Sequence, residues 1–183
     1  AVAVGALKTS VDAAVRIYSF NGTAWVQRGG VIAAGQMNLF GKRSVALSKS
    51  GSIMAVGSID GNKIVVRVYN YNNGTWGQVG GDIEAGNVKL LAGNTLSCSE
   101  GFALKGVVRQ VRVAIGTGGE NHVRVWELTE NSENEQASAE WTNSFSEFQY
   151  TTNAGKTPNT TTVVHLARSS PYPQLFFGAP NGT

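Results

Sequence analysis

The chain has 183 residues, which corresponds to about one domain, and only 15% of them are charged. No apolar run approaches the roughly 18 residues that a membrane-spanning helix needs, so we expect no membrane span. Cys98 is the only cysteine, which excludes an internal disulfide framework and a cysteine-based zinc cluster. The 23 glycines indicate many short strands and tight turns.

The first residues, 1–6, lack an initiator methionine and also lack the basic and long apolar segments of a secretory signal. We interpret the chain as processed or excerpted. Its location is left open, and secreted and organellar (plastid) locations are both compatible with the sequence.

A short strand of small apolar residues ending in Gly occurs four times, and we call it the B-type strand. Its copies are Val2-Ala-Val-Gly5, Met54-Ala-Val-Gly57, Val113-Ala-Ile-Gly116 and Leu175-Phe-Phe-Gly178. An A-type strand is predicted before the last three copies. Its copies are Ser44–Leu47, Gly101–Leu104 and Val163–Leu166.

A C-type strand with a basic residue two positions before an aromatic follows three of the B-type strands. Its copies are Val15–Tyr18, Val66–Tyr69 and Val123–Trp126. A hairpin then leads to a D-type strand that begins with a tryptophan, and Asn and Gly supply the positive φ of the tip. These tryptophans are Trp25, Trp76 and, after an insertion rich in Glu, Asn and Ser, Trp141. The aromatic residues on either side of the first two tips are expected to meet across the strands.

These elements predict an all-β chain of repeated four-stranded antiparallel sheets of the β-propeller-blade type. We expect one repeat domain spanning 1–183, with repeats at about 1–39, 40–95, 96–160 and, partial, 161–183. The strand order is BCD, ABCD, ABCD, AB, so there are three repeats with incomplete terminal sheets.

Two segments carry a resemblance to a known family. Residues 40–46, Phe-Gly-Lys-Arg-Ser-Val-Ala, and 177–180, Phe-Gly-Ala-Pro, are similar to the two halves of the FG-GAP repeat of integrin-α-type propellers. The VRVY…NGTxW pattern resembles repeats of large secreted or organellar proteins of algae and bacteria. The resemblance implies a propeller fold and, in many blades, a Ca²⁺ loop rich in Asp. The corresponding loops here, 48–52 and 169–173, contain no carboxylate, so we expect no metal ion.

The incomplete sheets allow three interpretations: an excerpt from a longer propeller, completion of one chain by another, or a compact four-sheet monomer. Unpaired edges can template pairing with another chain. For completion between chains, we expect an interface of apolar strand residues. These are Val2, Val4, Val163, Val164, Leu166, Phe176 and Phe177.

The repeated arginines and tryptophans also have two interpretations, a ligand pocket or packing between sheets, and packing is favoured. The positions are Arg16, Arg67, Arg124, Trp25, Trp76 and Trp141.

No catalytic constellation is apparent, because His122, His165 and Cys98 lack neighbouring partners in the sequence. We therefore expect no enzymatic activity and no cofactor. Six of the twelve acidic residues fall between Trp126 and Gly155, a segment without Lys or Arg, which predicts either a solvated acidic loop or charge complementarity between copies. Basic residues are scattered singly, so nucleic acid is not an expected partner.

The leading hypothesis is a structural repeat protein that self-associates through its terminal sheets into a filament, tube or shell layer, for example around an organelle. The expected partners are copies of itself or other blades of the same parent chain. The alternative is a ligand-binding propeller module, such as a lectin or adhesion module with a glycan ligand.

Overall fold

The computed structural model describes residues 2–7, 13–35, 45–87, 95–102, 109–117, 122–130, 141–143, 148–149, 163–167 and 174–178. Secondary structure in these ranges consists of strands and turns, and every pairing between strands is antiparallel. In this part of the chain no helix has the length and apolarity to cross a membrane. The predicted all-β fold with several antiparallel sheets is confirmed.

Four sheets follow one another along the chain. The first contains β1 (Val2–Leu7), β2 (Ala13–Phe20), β3 (Trp25–Gln27) and β4 (Ile32–Gly35). The second contains β5 (Val45–Leu47), β6 (Ile53–Asp60), β7 (Lys63–Asn72), β8 (Thr75–Gln78) and β9 (Ile83–Asn87). The third contains β10 (Thr95–Phe102), β11 (Arg109–Thr117), β12 (His122–Glu130), β13 (Thr142–Asn143) and β14 (Phe148–Gln149). The fourth contains β15 (Val163–Ala167) and β16 (Gln174–Gly178).

The pairing register recurs from sheet to sheet. In the first three sheets, the arginine of the C-type strand lies opposite the same position of the B-type strand. The pairs are Val4–Arg16, Val56–Arg67 and Ile115–Arg124. Because a shift of one residue would turn every side chain to the other face of a sheet, this common register gives the three sheets equivalent faces.

One A-type strand was wrongly predicted. The strand expected at 101–104 lies earlier, because Leu96 and Cys98 of β10 pair with Ile115 and Val113. The same positions of the second sheet are held by Val45 and Leu47, opposite Val56 and Met54. The correct segment, Leu96-Ser-Cys98, has less β-branched and aromatic character than the predicted segment. Ala103 and Leu104 lie outside the described residues.

Each D-type strand is divided into two parts, which the sequence did not predict. β3 and β4 both pair with β2, and β8 and β9 both pair with β7. Between the two parts lies a kink at 28–31 or 79–82, where Gly29 and Gly80 have φ values of 75° and 69°. Beyond the kink the two strand pairs carry a register shift at the same place, which indicates a repeated β-bulge.

The two predicted hairpins are confirmed. Asn73 and Gly74 connect β7 to β8 with φ values of 47° and 84°, the left-handed backbone that a two-residue reversal needs. In the first hairpin, the Asn21 side-chain oxygen accepts hydrogen bonds from the backbone N–H groups of Thr23 and Ala24. The predicted aromatic pairs are also confirmed, with centroids 5.5 Å apart for Phe20–Trp25 and 5.2 Å for Tyr71–Trp76.

The sheets contact one another in chain order, the first with the second, the second with the third, and the third with the fourth. The second sheet is buried on both faces. Met54 and Val56 of β6 belong to a core cluster with residues of the first sheet, whereas Ile53 and Ala55, which point the other way, belong to a cluster with the third sheet. Double burial explains why this B-type strand is a continuous apolar run, and each fully buried aliphatic side chain contributes about 1.5–3 kcal/mol.

Gly29 is needed at the kink. A Cβ added there would lie 2.6 Å from Cδ1 of Trp76 in the second sheet, and its φ of 75° is unfavourable for any other residue. We predict that Gly29→Ala lowers the free energy of unfolding by about 2 kcal/mol or more in urea titrations followed by far-UV circular dichroism.

The matched control is Gly30→Ala, because no atom lies within 4 Å of a Cβ at Gly30. This variant should stay within about 0.5 kcal/mol of the wild type. Equal losses in the two variants would contradict the packing of Trp76 on Gly29.

Candidate functional site

The tryptophans that begin the D-type strands hold equivalent positions. Trp25 pairs with Phe20 and Trp76 with Tyr71, and the pairing of Asn143 with Trp126 puts Trp141 at the same position of the third sheet. We call this position the tryptophan slot.

In two sheets, the tryptophan at this slot donates a hydrogen bond to the preceding sheet. The indole N–H of Trp76 donates to the backbone carbonyl of Arg28 at 2.7 Å, and that of Trp141 donates to the carbonyl of Val79 at 3.2 Å. Arg28 and Val79 are equivalent, because their backbone N–H groups donate to the carbonyls of Ile17 and Val68 at 2.7 and 2.8 Å. The kink thus presents a backbone carbonyl to the next sheet. In a regular strand, this carbonyl would accept a hydrogen bond within its own sheet.

The two kinks reinforce this contact with different side chains. Arg28 lies over the ring of Tyr71, with its guanidinium carbon 4.1 Å from the ring centroid, and donates a hydrogen bond to the carbonyl of Gly51 at 3.0 Å. Val79 instead packs against the apolar cluster between the second and third sheets. A cation–π contact and an apolar contact therefore serve the same junction.

In the first sheet, no sheet among the described residues covers the same slot. Trp25 is 56% exposed and Phe20 is 54% exposed, whereas Trp76 is partly buried in the cluster between the first and second sheets. The interplanar angles of Phe20–Trp25 and Tyr71–Trp76 are 51° and 53°, so the exposed ring pair already has the geometry of the buried one. We call this surface, with Arg16, Tyr18 and Val31, the open slot face.

Arg67 binds a carboxylate of its own sheet, a partner that the sequence analysis missed. Its guanidinium forms hydrogen bonds of 2.7–3.1 Å with Asp82 at the kink, and it also contacts the Ser58 hydroxyl at 3.3 Å. Burial works to raise the pKa of Asp82, but the hydrogen bonds from Arg67 and Gln78 outweigh it and hold this pKa below the ordinary value of 3.8. The arrangement uses Arg67 for packing and pairing within the sheet.

The equivalent arginines differ in their surroundings. Arg16 has Val31 where Arg67 has Asp82, and within the described ranges no carboxylate pairs with it. Arg124 lies opposite Ile115 and is half-buried. Arg16 and Arg67 therefore differ in their surroundings, although they hold equivalent register positions.

One glutamate of the acidic segment, Glu127, forms an ion pair within the third sheet. Nε of Arg112 lies 2.6 Å from a carboxylate oxygen of Glu127, and Gln110 bonds to both groups. Residues 131–140 and 144–147, which hold most of the other glutamates of the segment, lie outside the described residues. The indole N–H of Trp126 is buried and has no hydrogen-bond partner in the described part of the chain.

The predicted interface residues lie in the first and fourth sheets. Val2 and Val4 lie opposite Tyr18 and Arg16 in β1. The others are Val163 and Val164, opposite Gly178 and Phe177, together with Leu166, opposite Leu175, and Phe176, opposite His165. The structure does not place these two groups together: the first sheet contacts the second, and the fourth contacts the third.

The cysteine and the two histidines lie in different parts of the structure. Cys98 is buried in the core and its thiol lies 3.8 Å from the carbonyl of Ile53. His122 pairs with Thr117 at the start of β12, and His165 lies in the fourth sheet. Within the described ranges, no group of three His, Cys, Asp or Glu side chains is arranged to hold a metal ion. In the 48–52 loop, serine hydroxyls bond to one another, and Ser48 accepts the N–H of Ile53.

No family model, curated protein or solved structure that was compared with the chain matches it.

The functional residues that the sequence analysis missed are Arg28, Gly29, Val79 and Asp82. A signal was present, because Gln-Arg-Gly-Gly at 27–30 recurs as Gln-Val-Gly-Gly at 78–81. This repeated kink follows the tryptophan slot by the same distance in both sheets.

The tryptophan slot gives a matched pair of substitutions. We predict that Trp76→Phe lowers the free energy of unfolding by about 2 kcal/mol, because it removes the hydrogen bond to Arg28 and part of a buried ring. Trp25→Phe makes the same change at an exposed ring and should cost less than about 0.5 kcal/mol. Urea unfolding at low protein concentration measures the loss of stability in each variant. Similar losses at the two positions would contradict the role of Trp76 in joining the first and second sheets.

The Arg67–Asp82 pair predicts a pH dependence. The pKa of Asp82 is lower in the folded state than in the unfolded state. The ionised carboxylate therefore stabilises the fold fully above the unfolded-state pKa, and this stabilisation is lost as the pH falls through the folded-state pKa. Asp82→Asn should lower stability at pH 7 by less than about 1 kcal/mol, since the pair is partly exposed. The difference in the free energy of unfolding between Asp82→Asn and the wild type should become smaller below about pH 4. A difference that stays constant down to about pH 2 would contradict this pairing.

Proposed function

We propose that this protein is a non-enzymatic repeat scaffold, built of sheets of the propeller-blade type, that functions by associating with further copies of itself. The observation that carries the proposal is the open slot face. Two equivalent faces are covered by a sheet of the same kind, and the third exposes two aromatic side chains, each to more than half of its surface. Exposed apolar faces of this kind mark sites of protein–protein contact.

The edges of the terminal sheets give further support. β1 pairs with β2 on one side, and the described residues supply no strand for its other side. The fourth sheet contains two described strands, β15 and β16. Open strand edges can accept a strand of another chain, and the assembly would then be a filament, a tube or a shell layer such as one around an organelle.

The propeller-blade assignment rests on the A-to-D strand order and on the common register of the first three sheets. The similarity of residues 40–46 and 177–180 to FG-GAP repeats points to the same architecture. Residues 40–44, 179 and 180 lie outside the described residues.

A saccharide-binding module is the second candidate, and exposure of Trp25 is the observation that favours it. A sugar stacks on an exposed aromatic face, whereas the indole N–H groups of Trp76 and Trp141 are already bonded to neighbouring sheets. Binding on a glycan array that Trp25→Ala abolishes, by a protein that stays monomeric, would replace the scaffold proposal with this one.

The scaffold proposal predicts that the mass in solution rises with concentration. Light scattering after size exclusion should give the 19.3 kDa monomer at low micromolar concentration and species of at least twice that mass at several hundred micromolar. Raised salt should affect this association less than it affects surface ion pairs, because apolar contacts carry it. A constant monomer mass over the whole range would overturn the proposal.

A further inference from the structure

Two hairpin tips carry the same three residues. Asn21-Gly-Thr23 connects β2 to β3, and Asn73-Gly-Thr75 connects β7 to β8. Asn-x-Thr, with any residue except proline in the middle, is the acceptor sequence for an N-linked oligosaccharide. Asn and Gly also favour tight turns, so turn geometry is the competing explanation for the triplet. Two further acceptor sequences, at 159–161 and 181–183, lie outside the described residues.

The two tips differ in geometry. The first contains four residues, 21–24, between its last paired positions, and the second contains two, 73–74. Asn73 has a left-handed φ of 47°, whereas the φ of Asn21 lies outside the left-handed region. Turn types differ in the residues that they require at each position. A single turn preference therefore does not account for the same triplet at both tips.

The threonine is the residue of the triplet that the turns need least. In the first tip, Oδ1 of Asn21 accepts the backbone N–H of Thr23 at 3.0 Å, a bond that any residue except proline could supply. The Thr23 hydroxyl has no hydrogen-bond partner within the described ranges. In the second tip, the Thr75 hydroxyl donates to the carbonyl of Asn72 at 3.1 Å in an exposed position, where water competes for the same groups. Threonine at this position is what an acceptor sequence requires.

Both acceptor side chains are accessible. Asn21 and Asn73 are exposed together with the residues around them in the tips. The second sheet is covered on both faces, yet its tip is exposed, so accessibility of a tip does not depend on what lies against the faces of its sheet. No atom lies within 4 Å of a Cβ built at Gly22 or Gly74, which leaves space for a bulky group beside each asparagine.

We propose that Asn21 and Asn73 are acceptor sites for N-linked oligosaccharides. In this modification, the side-chain amide nitrogen forms a bond to C1 of the first sugar and loses one proton. The bond from C1 to the diphosphate of a lipid-linked donor breaks, and the lipid diphosphate leaves. The donor and its transferase are supplied by the cell that makes the protein. The inference goes beyond the proposed self-association and does not rest on it.

Secretion of the full chain from insect cells, behind an added signal peptide, tests the proposal. A peptide N-glycosidase converts each glycosylated asparagine into aspartate, and in H2-18O the converted position carries a mass label. We expect the label at Asn21 and at Asn73 in most molecules of the secreted, folded protein. A position that stays unlabelled is not an acceptor, and the proposal is overturned for that position.

Substitutions in the second tip provide the matched controls. Thr75→Ala removes the acceptor sequence without changing Asn73, and it should abolish the label at Asn73 while the label at Asn21 remains. Thr75→Ser should retain both labels. Asn72→Gln changes an exposed asparagine that has Gly74 at its third position, and it should also retain both labels. Retention of the Asn73 label in Thr75→Ala would overturn the assignment of this site.

The folded glycoprotein gives an independent readout. The residues of the two tips belong to none of the described core clusters. The glycosidase should therefore remove both glycans without denaturant, and their removal should shift Tm by less than about 2 °C. Glycans that are released only after unfolding would overturn their placement at open tips.

The result is separable from the proposed function. A protein that carries both glycans but stays monomeric at all concentrations would overturn the scaffold proposal and support this inference. A protein that assembles and carries no glycan at either tip would do the reverse.

Discussion

The hydrogen bond from a tryptophan indole to a backbone carbonyl of the neighbouring sheet is the interaction on which the arrangement of sheets depends. Apolar packing alone would tolerate sliding of one sheet over another, because the hydrophobic effect is not directional. An N–H group aimed at one carbonyl, as in Trp76 with Arg28 and Trp141 with Val79, selects a single alignment. An indole N–H left unpaired in a partly buried junction would cost about 1–3 kcal/mol, so misaligned stacking is penalised.

This interaction requires the divided D-type strand. A continuous strand would commit its carbonyls to pairing with β2 or β7, and none would face the next sheet. The kink frees one carbonyl in each sheet, and Gly29 provides both the left-handed backbone and the space for the ring of Trp76. The proposed self-association would use the same geometry, because a sheet that both offers a carbonyl and carries a slot can be stacked on either side.

Sequence patterns predicted the strands well and the junctions poorly. The Val-Arg-Val-Tyr repeats predicted the C-type strands, because alternation of side chains on a pleated strand is a local property. The A-type strand at Leu96–Cys98 was missed because Ser and Cys carry little strand preference and its identity is set by pairing with β11. The role of Trp76, and the difference between Trp25 and Trp76, depend on which sheet lies opposite, and local sequence holds no such information. Asp82 was missed because it lies 15 positions after Arg67 in the sequence, and the pairing of β9 with β7 brings the two together.

The third sheet shows that the number of residues between the C-type and D-type strands does not fix the junction between sheets. Four residues separate Phe20 from Trp25, whereas twelve separate Leu128 from Trp141, yet Trp141 reaches the carbonyl of Val79 just as Trp76 reaches that of Arg28. The junction is therefore set by the register of the strands and not by the number of residues that connect them. The corresponding tips at 21–24 and 73–74 are therefore permissive insertion points, where an epitope or a fluorescent label can be displayed at regular intervals along the stack.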